Sequence, residues 1–258
     1  MKMSSADRTS RPWPPPAADA VFILENGARM DQPTFHRLYL KTPPKFRAEL
    51  IAGVVHVSSP VSGGHGGPHA KLVGWLLNYV RGTPGIAVYN DTTMIMNDDT
   101  EPQPDATLLI EKRYGGQTWM DRKQYFHGAP EFAAEIAHST ASIDLGTKKA
   151  AYEKAGVCEY VVFSVIEQQV DWFIRRSGQL EPLAAAENGV LKSEIFPGLW
   201  LHPAAFFKPS MSRLFAVAQK GLDSPEHAAF VANLEARRKT QSPKPGKSPG
   251  KKPPRPRS

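Results

Sequence analysis

Gln103-Pro104-Asp105-Ala106-Thr107-Leu108-Leu109-Ile110 and Phe132-Ala133-Ala134-Glu135-Ile136-Ala137 are two short apolar runs, each carrying one acid and no base. Their length and apolar content predict strands buried in a sheet. An ionised carboxylate is costly in such a setting unless it is paired or binds a metal. In a strand, Glu135 shares a face with Ala133 and Ala137, while Phe132, Ala134 and Ile136 point the other way. Small neighbours on that face leave room for a ligand; the alternative is a glutamate on a solvated sheet face. Asp105 is the weaker clue, because Pro-Asp is an ordinary way to begin a strand.

A lysine follows on what reads as a helix from Asp144 to Ala155, stopped by Gly156. Leu145, Lys148, Tyr152 and Ala155 are spaced three, four and three apart, one stripe of a 3.6-residue period. Lys148 therefore faces the protein, whereas Lys149 and Lys154 do not. Its ammonium either snorkels past Tyr152 to water or meets a buried acid. Two carboxylates on neighbouring strands with a lysine close by suit metal-assisted phosphodiester hydrolysis. Mg²⁺ takes one or two carboxylates and completes its shell with water and substrate phosphate.

Outward from these runs the periods alternate. Asp31 is placed to cap a short helix with Pro33 in its first turn. Residues 46–57 read as a strand or hairpin bent at Gly53, and Ser62 to Pro68 as a loop. A helix is expected over His69–Tyr79, with Leu72, Trp75, Leu76 and Tyr79 on one stripe. Strands are expected at 86–96, 104–111, 131–137, 157–165, 170–176, 179–186 and 199–201. This order predicts an α/β (α+β) fold, a central mixed sheet flanked by helices. Residues 1–20 read as a disordered Pro-rich segment, 21–208 as one domain, 209–236 as a helical extension and 237–258 as a basic, disordered tail.

Of 258 residues, 41% are hydrophobic, enough for one sizeable core. No apolar stretch approaches the roughly 20 residues that span a bilayer, and no secretory signal is evident, so a cytoplasmic protein without a membrane partner is expected. The single cysteine, Cys158, excludes an intramolecular disulfide and reads as a packing residue. The formal charge is +7, but Arg237 to Ser258 holds nine Lys or Arg and no acid, which leaves the rest at −2. Basic character thus lives in the tail. Lys244, Lys247, Lys251, Lys252, Arg255 and Arg257, interleaved with prolines, suit sequence-independent phosphate contacts; a solubilising tail is the bland alternative.

One ordered set of motifs narrows the choice. Glu49-Leu50-Ile51-x-Gly53, His69 opening a helix, Gln103-Pro104-Asp105, Glu135-Ile136-x-x-Ser139, and Asp144-x-x-x-Lys148-x-x-x-Tyr152-x-x-Ala155-Gly156-Val157-x-Glu159-Tyr160 resemble the Uma family of the restriction-endonuclease-like, PD-(D/E)XK superfamily. Phe196-Pro197-Gly198-Leu199 is similar to the end of that domain. The resemblance spans roughly residues 30 to 207. It implies a restriction-endonuclease-like core and an endonuclease acting on nucleic acid, DNA first, with Mg²⁺ or Mn²⁺. On this resemblance Asp105, Glu135 and Lys148 are catalytic. Asp105, Glu135, Glu49 and the Ile136 backbone carbonyl would hold the metal, His69 and Tyr152 would line or support the cleft, and a homodimer is among the partners to expect.

Three departures stand out. The usual lysine position of the acid-x-lysine motif is Ala137, with Lys148 supplied from the next helix instead. The early string in the family usually reads Glu-Leu-Ile-Asp-Gly-Glu, where this chain has Ala52 and Val54 in place of the later acids. His65 and His69 are four apart, a metal spacing on a helix, but Gly66, Gly67 and Pro68 between them argue against a regular helix and so against zinc. No serine-nucleophile elbow or phosphate-cradling loop is present, and Trp119, Tyr125 and Phe126 read as core sooner than as base-stacking residues. The competing function is a catalytically silent nucleic-acid-binding or interaction module on the same fold.

Overall fold

The structure is a computed structural model and describes residues 24–241. The Pro-rich segment 1–20 and the tail residues Lys244, Lys247, Lys251, Lys252, Arg255 and Arg257 lie outside the described residues.

Helix α1 (Gln32–Tyr39) starts as the sequence predicts: the Asp31 carboxylate accepts the Thr34 N–H at 2.9 Å, and Pro33 sits in the first turn. Strands β1 (Ala48–Ile51) and β2 (Val54–Val57) pair as a hairpin whose two turn residues, Ala52 and Gly53, have φ of 50° and 76°. Positive φ at both positions matches the twist of the flanking strands.

Helix α2 (Gly63–Gly82) corrects the expected loop at Ser62–Pro68, beginning six residues before His69. Its stripe of Leu72, Trp75, Leu76 and Tyr79 is buried, and that packing outweighs the poor helix propensity of the Gly- and Pro-rich start. At Gly64 the His138 ring packs closely on the helix, 2.5 Å from where a Cβ would project, so any larger residue would have to displace that ring.

The expected strand 86–96 is two pieces, β3 (Ile86–Tyr89) and β4 (Met94–Ile95), parted where Asp91 takes a positive φ of 47°. Next come β5 (Ala106–Ile110), β6 (Trp119–Met120), β7 (Phe126–His127) and β8 (Phe132–Ala137). The two-residue strands β6 and β7, which join β4 in a small sheet, are too short to leave a period in the sequence. A continuous helical segment follows: α3 (Ala141–Ile143), a π-turn over Asp144–Lys148, and α4 (Lys149–Ala155), closed by Gly156 at φ 101°. Strands β9 (Glu159–Ser164), β10 (Gln169–Arg176), β11 (Gln179–Pro182), β12 (Leu191–Lys192) and β13 (Trp200–Leu201) precede helices α5 (Pro203–Phe206), α6 (Ser212–Leu222) and α7 (Pro225–Gln241). The last helix carries Arg237 and Arg238 within it, so these two residues, expected in a disordered tail, are helical.

The main sheet has the order β11-β10-β9-β8-β5-β3; β8 and β9 are parallel and every other pair is antiparallel. It is mixed, as expected, and helices flank it. On one face α2, α6 and α7 bury Trp75, Leu214 and Leu234 against Phe132, Ala134 and Ile136. On the other face Tyr152 and Tyr160 pack with Ala133 and Ala137. The β-period assigned to β8 therefore sorts its side chains as the sequence predicts. Cys158 is half-buried, short of the interior position expected. Among the described residues no helix is long and apolar enough to cross a membrane.

Candidate active site

The antiparallel register of β5 and β8 pairs Ala106 with Ala134, so Asp105, one residue ahead of β5, falls opposite Glu135. The pairing follows from the two apolar runs being adjacent strands. The Ile136 N–H donates to Asp105 Oδ2 at 2.6 Å, which fixes the carboxylate at the strand end. His65 Nε2 lies 3.2 Å from the same oxygen, and His69 Nε2 lies 2.8 Å from the Asp105 backbone carbonyl. Burial pushes the Asp105 carboxyl up, but the hydrogen bonds from His65 and the Ile136 N–H outweigh it and hold the group below its usual range. His65 is raised in turn, first by its hydrogen bond to Asp105.

Lys148 does not snorkel. Its side chain is 6% exposed, with Nζ 3.0 Å from Glu135 Oε1 and 3.1 Å from Glu49 Oε2. Tyr152, one helical turn on, donates its hydroxyl to Glu135 Oε1 at 2.8 Å. Glu49 reaches the site from β1 and accepts the Gln103 N–H on its other oxygen at 2.6 Å. The stripe through Lys148 and Tyr152 thus points at the face of β8 that carries Glu135. The room left by Ala133 and Ala137 is filled by Tyr152 and Tyr160, and Glu135 is 4% exposed.

Sequence reasoning missed two members. Asp144 is buried in the π-turn, with Thr140 donating its hydroxyl to Oδ2 at 2.5 Å. Its spacing of four from Lys148 was the available signal. His65 was set aside because of the glycines beside it, yet the helix forms and brings it onto Asp105.

Four carboxylates, Glu49, Asp105, Glu135 and Asp144, act on one another and on the single ammonium of Lys148. Burial pushes Glu135 well up, the neighbouring acids add to this, and Lys148 offsets only part. Asp144 is raised for the same first reason. Lys148 itself is raised: burial disfavours its charge, but Glu135 and Glu49 outweigh burial and keep it protonated. One ammonium cannot neutralise so many acids in a poorly solvated place. The arrangement favours taking up further positive charge, as protons or as a cation.

The fold agrees with what comparison with known proteins finds. The family model "Uma2: Putative restriction endonuclease" matches residues 32–204. The chain belongs to the Uma2 family. A solved structure titled as a "putative nuclease belonging to DUF820", from Anabaena variabilis ATCC 29413, superposes with a TM-score of 0.52 at 17% identity, over 66% of this chain and 96% of that one. At that identity the likeness concerns the fold. No curated protein matches the chain.

One departure from the Uma2 string now has a physical reading. Ala52 occupies the first position of the β1–β2 turn at positive φ, where Asp or Asn is favoured for its tolerance of that conformation. Ala52 is exposed at that turn, outside the buried carboxylates around Lys148. Val54 pairs with Ile51, on the strand face that also holds Glu49 and His56.

Proposed function

We propose that this protein is a divalent-metal-dependent endonuclease that hydrolyses phosphodiester bonds in DNA, with Asp105, Glu135 and Lys148 as catalytic residues. The observation that supports this most directly is the surplus of buried carboxylates around Lys148. An all-oxygen donor set of this kind fits Mg²⁺ or Mn²⁺. Asp105, Glu135, Glu49 and the Ile136 carbonyl would hold the ion. When bound, it supplies Lewis-acid polarisation of the phosphate and a water of lowered pKa.

The chain's own groups do the rest. Lys148 is protonated and offsets charge that develops on the phosphate in the transition state. The Tyr152 hydroxyl fixes Glu135 Oε1, and the Ile136 N–H fixes Asp105, so neither carboxylate has to be ordered when substrate arrives. His69 holds the backbone at Asp105 from α2. Away from these acids, Arg37, Lys41, Arg122 and Lys123 line an open cleft of about 810 Å³ between α1 and the β6–β7 turn. His127, which also lines it, stacks on Trp119, itself 52% exposed. This basic and aromatic surface suits a nucleic-acid strand.

The test is cleavage of supercoiled, linear and single-stranded DNA with Mg²⁺ or Mn²⁺. Asp105→Asn and Glu135→Gln are each expected to lower the rate by about 10²–10³-fold. Cleavage that survives both substitutions refutes the assignment. A second reading, a silent binding module, is favoured by one observation: Lys148 closes over Glu135 and Glu49, leaving Glu135 and Lys148 each only 4% exposed. Under that reading the chain binds DNA and does not cut it under any of these conditions.

A further inference from the structure

Outside the ion pairs of Lys148, the first turns of α2 carry a second set of donors. His65 and His69, four apart, present their rings on one helix face, with centroids 5.7 Å apart. One ligand atom from each lies within 4.8 Å of the other and of a carboxylate oxygen of Asp105. We propose that His65, His69 and Asp105 form a site for a divalent transition-metal ion of the zinc class, on the α2 side of Asp105. The proposal rests on the reading of Asp105 as a metal-binding carboxylate, and adds to it both the histidines and the identity of the metal.

Donor chemistry points to the class of ion. Neutral imidazoles suit Zn²⁺, Co²⁺ and Ni²⁺, whereas Mg²⁺ prefers carboxylate and water. Two histidines and one carboxylate leave a coordination position open, the pattern of catalytic rather than structural zinc sites. Bonds of about 2.0–2.2 Å to zinc require the three donors to close on one another. The surroundings leave space for such a shift: the His65 side chain is 23% exposed, and, apart from chain neighbours and the helix's own backbone, nothing lies within 4 Å of where a Cβ would project from Gly63, Gly66 or Gly67. Asp105 is already oriented by the Ile136 N–H, the kind of outer contact that steadies a ligating carboxylate.

Two features set the strength. His69 must give up its hydrogen bond to the Asp105 carbonyl if it binds through Nε2. His65 Nδ1 is buried and has no hydrogen-bond partner, so a proton moved onto it finds no acceptor. An exchangeable ion that a chelator removes is therefore expected, not a permanent structural zinc.

The experiment titrates the full chain, free of any affinity tag, with Co²⁺ and follows visible d–d absorption. The parent is expected to bind one Co²⁺, to release it to Zn²⁺, and to keep it against a hundredfold excess of Mg²⁺. His65→Gln and His69→Gln should each weaken binding by at least about tenfold, while His202→Gln, at a histidine that pairs with Arg213 outside these sites, should not. Thermal midpoints in EDTA check that the variants are folded. Imidazole ¹⁵N resonances of the parent provide a reading that needs no substitution, since two histidines should shift on adding Zn²⁺. Undiminished Co²⁺ binding by a folded double variant, displacement by Mg²⁺, or unmoved imidazole resonances would overturn the site. Because no nucleic acid is present, cleavage without a histidine-bound ion defeats this proposal alone. A histidine-bound ion without any cleavage defeats the nuclease reading alone.

Discussion

Two buried acidic places in this protein invite comparison. At one, Glu159 in β9 accepts the N–H groups of Glu194 and Ile195 on Oε1 and the Ser193 hydroxyl on Oε2. Glu131 does similar work just before β8, accepting the N–H groups of Ile110 and Gln117. These acids staple loops to the sheet, and three of their four oxygens are taken up by backbone N–H groups, which cannot leave, the fourth by the Ser193 hydroxyl. At the other, Glu135 accepts from Tyr152 and Lys148, both of them side chains. It also faces three further carboxylates. Burial alone does not mark a functional acid, since Glu159 is more deeply buried than Glu135. What separates them is whether the partners are mainly fixed backbone groups or side chains that include one cation shared among several acids.

The sharpest way to break this contrast is to remove that cation. Lys148→Met leaves Glu135 and Glu49 without their counter-charge, and a loss of about 3–5 kcal/mol in unfolding free energy is expected in metal-free buffer. Mn²⁺ or Mg²⁺ should return part of it if the acids bind the ion, which denaturant titration with and without metal will measure. An unchanged midpoint would mean that the acids do not depend on Lys148.

The staple should respond to pH and not to metal. Burial raises the Glu159 carboxyl from 4.5 to about 6, with its hydrogen bonds offsetting only part. Because the folded-state value is the higher one, the stability it contributes is complete below 4.5 and is lost as pH rises through about 6. Across that window the parent should lose about 2 kcal/mol relative to Glu159→Gln, which does not titrate. Parallel stability-against-pH curves for the two proteins would contradict this account.

The smallest effect concerns the hairpin that delivers Glu49. Ala52→Asn relieves a left-handed alanine and should stabilise the fold by up to about 1 kcal/mol, leaving any cleavage rate unchanged. A changed rate at equal stability would show that position 52 belongs to the chemistry.

Most of the site was legible because strands and helices impose simple periods. Alternation in Phe132–Ala137 put Glu135 on the face opposite the main core, and the stripe through Lys148 and Tyr152 chose that lysine over Lys149. What stayed hidden depended on tertiary packing. Helix α2 begins at Gly63 because a buried stripe further along drags a glycine-rich start into the helix, and no local propensity foretells that. Strands β6 and β7 owe their existence to pairing with β4. Asp144 escaped notice although its spacing of four from Lys148 puts it on that stripe, because an acid in the first turn of a helix ordinarily serves the helix N-terminus in solvent. Trp119, read as core, stands at the surface, whereas Phe126 is buried as expected.

That π-turn has a consequence for how the chain tolerates change in length. Five residues, Asp144 to Lys148, occupy a wider loop of helix, equivalent to one residue inserted between α3 and α4. Deleting one residue between Asp144 and Lys148 would restore ordinary winding and leave α3 close to its present phase relative to Lys148, because five residues of π-turn sweep nearly the same angle as four of α-helix. The same deletion between Lys149 and Ala151, in regular helix, would swing Lys148 by about 100° relative to Tyr152 and part the two from their shared partner Glu135. The surplus residue is therefore slack: this stretch can lose a residue and keep its lysine aimed at the strand.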